Sequence, residues 1–183
     1  MDQIERIERA TAFAADKVKG VTAGDLEKTT PCSEFDVRLL LNHMIGGLGM
    51  LAAAARGEKA EMPQGDQFGD DPGGDYDKGR TELLAALRGP AVLERMWEMP
   101  FGTLPGEVMA AIAFMEHVVH GWDLAKATGQ DTTVPPDLVT ECMETVVPMD
   151  AMLRNPGVCG PALDVPPDAS PQDKLVAFMG RTP

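Results

Sequence analysis

All three histidines of this chain fall in two short segments, Leu40-Leu41-Asn42-His43-Met44 and Glu116-His117-Val118-Val119-His120-Gly121-Trp122-Asp123. The second segment lies in an apolar run that reads as helix and sets a carboxylate and an imidazole four positions apart. At 3.6 residues per turn, Glu116 and His120 sit about 40° apart on one face, one turn above the other. Such a pair, joined by a histidine from another helix, is how a helical bundle holds a divalent metal and leaves positions open for chemistry. The candidate metal ligands are therefore His43, Glu116 and His120.

The chemistry of these groups explains the choice. A buried, unpaired Glu116 is costly or must stay protonated, and a divalent cation supplies the missing counter-charge. The cation also takes its imidazoles neutral, the state they favour at neutral pH. Two nitrogens and one carboxylate oxygen leave a position for water or substrate; zinc suits this set, and iron, nickel or copper accept it too. The spacing alone also fits a solvent-facing i,i+4 pair, or a core histidine bonded to a carboxylate. His117 and His120 are three apart and could form a His-x-x-His pair. His117 lies about 100° from Glu116 around the helix, however, so the three cannot comfortably share one ion. Asp123, one turn beyond His120, is either its hydrogen-bond partner or a capping or surface residue. Trp122 reads as packing, and Cys32, with no neighbouring base in sequence, does not read as a nucleophile.

Helices must position these groups. Apolar residues Ile4, Ile7, Ala10, Ala14 and Val18 predict a first helix over Gln3 to Lys19, stopped by Gly20. A second runs from about Asp36, its N-cap, to Arg56, with Gly57 behind it. The Gly-, Pro- and Asp-rich stretch Gly57 to Gly74 predicts a long surface loop, and a third helix spans Tyr76 to Leu87. Ala91 to Leu104 is ambiguous, with Met99-Pro100-Phe101-Gly102 a turn or short extended link. A fourth helix covers Pro105 to Thr128 before Gly129. A fifth runs from Pro135-Pro136 to about Arg154, and Ser170-Pro171-Gln172-Asp173 opens a short final one. On the helix carrying the motif, Met109, Ala113, Glu116, His120, Asp123 and Ala127 share one strip. His43 shares a side with Leu40, Gly47 and Ala54. The small residues Gly47, Ala54, Ala113 and Ala127 beside the ionisable groups predict a cavity.

Composition bounds the rest. The chain has 183 residues, enough for one domain over 1–183 with a full core, and its 5% aromatic content and abundant Ala, Leu and Met favour an all-α fold. A net charge of −13 with Lys and Arg scattered singly excludes nucleic acid and anionic membrane as partners. No run of about 18 apolar residues occurs and the charged N-terminus is wrong for a secretory signal. Three widely spaced cysteines fit reduced thiols, and the expected location is cytoplasmic. Of the twelve methionines, those near a cavity would suit a flexible apolar substrate; otherwise they are adaptable core filler.

Two stretches carry a resemblance: Thr30-Pro31-Cys32-Ser33-Glu34-Phe35-Asp36-Val37-Arg38-Leu39-Leu40-Leu41-Asn42-His43-Met44-Ile45-Gly46-Gly47, and Glu116 through Gly129 with its His-Gly-Trp-Asp-Leu-Ala core. Together they resemble the actinobacterial branch of the DinB-like superfamily, whose best-known relative is the N-terminal domain of mycothiol-dependent maleylpyruvate isomerase. The resemblance implies a four-helix bundle with additional short helices. Its ligands, a histidine on the second helix and a later Glu-x-x-x-His pair, fall on His43, Glu116 and His120. It further implies a metal, usually zinc, that activates a low-molecular-weight thiol such as mycothiol for transfer or isomerisation of a small molecule. That isomerase has a second, C-terminal domain for which these residues are expected to hold no counterpart, so maleylpyruvate itself does not carry over as substrate. A different metalloenzyme (hydrolase, cyclase or redox) and a non-catalytic metal-binding stress protein are the competing readings, and a homodimer stays open.

Overall fold

The computed structural model describes residues 1–155 and 158–183, and the chain is mostly helical. Helix α1 (Gln3–Lys19) begins where the Asp2 carboxylate accepts the Glu5 amide and ends at Gly20. Helix α2 (Val37–Arg56) is capped by Asp36, which accepts the Leu39 amide, and is closed by Gly57 in the left-handed region at φ 79°. Helix α3 (Pro72–Leu87) follows a loop. A hairpin of β1 (Met96–Met99) and β2 (Gly102–Pro105) then leads into α4 (Gly106–Thr128). The remainder is α5 (Pro136–Val146), α6 (Asp150–Leu153) and α7 (Pro171–Phe178), the last capped by Ser170.

Three departures from the sequence expectations have local causes. Asp-Pro-Gly-Gly at positions 71–74 has turn composition, yet Asp71 caps the Gly74 amide and Pro72 opens α3, so the helix starts four residues before Tyr76. The ambiguous stretch is a hairpin with Met99 paired to Gly102, and Pro100-Phe101 forms its tip. Its buried Trp97 donates to the Val92 carbonyl at 2.9 Å. The fifth helix breaks at Val146 and gives way to a short 3₁₀ turn (Val147–Met149) before α6. Pro148 has no N–H, and its ring would meet the carbonyl of Glu144 in a continued helix.

Helix α1 packs along α4 and α2 along α3, while α1 also meets α3 and α2 meets α4. The core sits between them, with Ile7, Leu40, Leu41, Leu83, Phe114 and Leu124 all essentially inaccessible to water. Helix α2 has the length and mean hydropathy (1.4 over 18 residues) of a membrane span, but 56% of that window is buried inside the protein. It packs as a core helix packs, against α3 and α4.

The α1–α4 approach depends on Gly121. A Cβ there would lie 2.7 Å from the Phe13 ring and 3.3 Å from the Ala14 Cα, and the latter is backbone that cannot rotate away. Gly121→Ala should therefore cost about 1–3 kcal/mol. That corresponds to a fall in Tm of about 2–12 °C for a domain of this size. A thermal melt with unchanged midpoint would contradict so close an approach.

Candidate metal centre

The cluster is built by two helices that meet face to face. His43 lies in the second turn of α2; Glu116 and His120 lie in the middle of α4. The His43 Nε2 is 2.7 Å from Glu116 Oε2, and the His120 Nε2 is 3.2 Å from the same oxygen. One donor atom from each residue falls within 4.8 Å of the other two. The two imidazoles stand nearly perpendicular (85°) with centroids 5.1 Å apart, and Phe35 stacks on His43 at 5.1 Å. Phe35 is placed by a tight turn in which the Thr30 hydroxyl donates to the Phe35 carbonyl at 2.8 Å. Burial is graded across the cluster: the His120 side chain is 7% exposed, Glu116 31% and His43 42%. The cluster is therefore sealed on the α4 side and open toward His43.

Behind His120 stands a buried relay of charges. Its Nδ1–H donates to Asp123 Oδ2 at 2.9 Å, which leaves Nε2 aimed at Glu116. Arg181, from the chain after α7, donates through Nη2 to Asp123 Oδ2 at 2.9 Å and through Nε to Oδ1 at 3.2 Å. Its Nη1 donates to the Met179 carbonyl at 2.7 Å. Burial opposes charge on His120, but the Glu116 carboxylate and the Asp123 bond outweigh it and raise its pKa to about 9. Burial likewise opposes ionisation of Glu116, yet His120 and His43 hold its carboxyl well below the usual range. Asp123 is also held low against its burial, by His120 and Arg181. The arrangement concentrates negative oxygen and imidazole nitrogen at one point, where a cation can take the place of a proton. Donor types and spacing both fit a divalent ion.

His117 is not part of this cluster. Its Nδ1 lies 3.0 Å from the Tyr76 hydroxyl, with both side chains buried. Burial pushes the His117 pKa down to about 3, so the ring is neutral and accepts the tyrosine proton. The two histidines three positions apart on α4 thus face different neighbours. The His-x-x-His alternative does not form.

A cavity of about 870 Å³ opens beside the cluster. Gly47 and Ala113 line it, and a Cβ built on Gly47 meets nothing within 4 Å. The other two small residues do not contribute: Ala54 is buried in the core and Ala127 packs against it from outside. Trp122 is buried packing, as its neighbours imply. Cys32 lines the cavity, and burial pushes its thiol pKa up, away from nucleophilic use. Sequence reasoning missed Arg181 and the role of Phe35. Nothing local marks Arg181, while Phe35 carried a signal as the lone aromatic just ahead of the α2 cap.

No solved structure matches the chain. Two curated relatives match it over 100% of its length and 99% of theirs at 31% identity. They are the uncharacterized proteins Rv0738 and MT0763 of Mycobacterium tuberculosis strains H37Rv and CDC 1551. The family model described as mycothiol maleylpyruvate isomerase N-terminal domain matches residues 7–125, a span that holds His43, Glu116, His120 and Asp123 and stops short of Arg181. By these matches, the chain belongs to the mycothiol maleylpyruvate isomerase N-terminal domain family.

Proposed function

We propose that the protein is a metal-dependent enzyme of the cytoplasm that uses a mycothiol-type thiol for S-transfer to, or isomerisation of, a small molecule. The observation that carries this reading is the two-nitrogen, one-oxygen donor set opening onto a large cavity. His43, Glu116 and His120 would hold the ion, zinc first among the candidates, within one DinB-like four-helix bundle over residues 1–183. When bound, such an ion lowers the pKa of a coordinated thiol enough to ionise it near neutral pH. The chain's own residues do the rest. Asp123 fixes the His120 tautomer, Phe35 holds the His43 ring by stacking, and the methionine-rich wall offers an apolar surface beside the reacting end.

The same donor set accepts iron, nickel or copper, which keeps a hydrolytic, cyclising or redox metalloenzyme as the second reading. A closed four-coordinate site that included His117 would favour a non-catalytic metal-binding protein, and His117 is instead hydrogen-bonded to Tyr76.

Calorimetric titration of mycothiol into zinc-loaded protein tests the thiol reading. Binding is expected for the wild type. Gly47→Leu and Ala113→Leu, which fill the cavity, should weaken it at least tenfold while one metal per chain remains bound. Absence of thiol binding to the zinc-loaded wild type would leave the second reading as the better account.

A further inference from the structure

We propose that the co-substrate held in this cavity is a large apolar molecule rather than a small carboxylic acid. Half of the chain's twelve methionines line this one space: Met44, Met50, Met109, Met115, Met152 and Met179. A wall of unbranched, polarisable thioethers moulds to apolar ligands of irregular shape. The volume of about 870 Å³ stands near the top of the range of about 300–1,000 Å³ for small-molecule sites. At the tip of the hairpin, Phe101 lines the cavity and remains 60% exposed, so an apolar surface continues to the mouth.

The charged side chains of the wall argue against the alternative. Recognition of a carboxylate calls for an uncommitted arginine, lysine or cluster of amide donors. Among the described lining residues, Arg181 is the sole lysine or arginine, and its Nε, Nη1 and Nη2 donate to Asp123 and the Met179 carbonyl. Glu34, which also lines the cavity, would repel an anion. Apart from the ion that His43, Glu116 and His120 would hold, a dicarboxylate would meet no free cationic side chain among the described residues of this space.

This inference rests on the metal–thiol reading only for the chemistry at the reacting end; occupancy of the cavity is measured without it. The neutral fluorophore N-phenyl-1-naphthylamine is titrated into zinc-loaded protein, with n-alkanols and maleate as competitors. Saturable one-to-one binding is expected, and each added methylene should tighten alkanol competition about fourfold, the ratio set by about 0.8 kcal/mol per buried CH₂. Maleate should not compete. Ile112→Arg, at a partly buried lining position, should weaken the probe at least tenfold and admit maleate. Phe101→Ser removes an exposed side chain that the fold does not need, and should weaken the probe severalfold even if the arginine variant fails to fold.

The inference is overturned if the wild type shows no saturable probe binding, if maleate competes as well as the alkanols, or if Phe101→Ser leaves affinity unchanged. Probe binding by a protein that ignores mycothiol would keep the apolar occupant and remove thiol transfer. Mycothiol binding without probe binding would do the reverse.

Discussion

Replacing His43 or His120 by alanine should lower zinc affinity more than about 100-fold, since loss of an outer hydrogen-bond partner alone costs about 10–100-fold. Each imidazole supplies one of the three donors that converge within 4.8 Å, and no other described His, Cys, Asp or Glu joins that group. Asp123→Asn, which keeps a hydrogen-bond acceptor behind His120 but removes the charge, should fall within the smaller range. His117→Ala should retain one metal per chain, because that ring is turned to Tyr76. Metal analysis of the four purified variants decides the matter. Full occupancy in both ligand variants, with loss in the His117 variant, would refute the assignment. Chelation of the wild type should lower Tm without abolishing helical circular dichroism, since the core between α1, α2, α3 and α4 is apolar and closed without the ion.

Replacing Arg181 by methionine should destabilise the protein by about 3–5 kcal/mol. The change strands the Asp123 carboxylate, whose side chain is 0% exposed, with His120 as its remaining ion-pair partner among the described residues. Asp123→Asn should also destabilise, since it leaves the buried guanidinium without its anion. The double variant removes both charges and should be less destabilised than the sum of the singles by about 0.5–3 kcal/mol, the usual range for groups in direct contact. Chemical denaturation of all four proteins reads this coupling. Strict additivity would show that Arg181 and Asp123 do not depend on one another. The same Arg181 variant should weaken zinc binding, because Asp123 would then be free to turn away from His120 Nδ1. That result would extend the residues that tune the centre beyond the 7–125 span matched by the family model.

Much of the local architecture was legible in the residues. Ile7, Ala10 and Ala14 repeat at helical period, and Asp36 and Gly57 bracket α2 as cap and stop. Each of these signals acts within a turn or two of chain, so one segment read alone contains its whole cause. Pro148 was such a signal as well, and its effect on the fifth helix is local. At Asp71-Pro72 the same residue types serve equally as turn and as helix start, and the Asp71 cap on the Gly74 amide marks the start of α3.

The sequence by itself determined the Glu116/His120 pair, because a four-residue spacing on a helix fixes two side chains on one face whatever surrounds them. It left His117 open as an alternative ligand, and the tertiary structure turned that ring to Tyr76. Only the tertiary structure decided that His43 meets the pair, since residues 73 positions apart are joined by the packing of α2 on α4 and by nothing in either helix. It likewise resolved Asp123 as the partner of His120 rather than a cap, and drew Arg181 from 58 residues away to neutralise it. The cost of leaving a charge unpaired in a dry interior selects such partners from anywhere along the chain, and a pairing of that kind leaves no trace in local spacing.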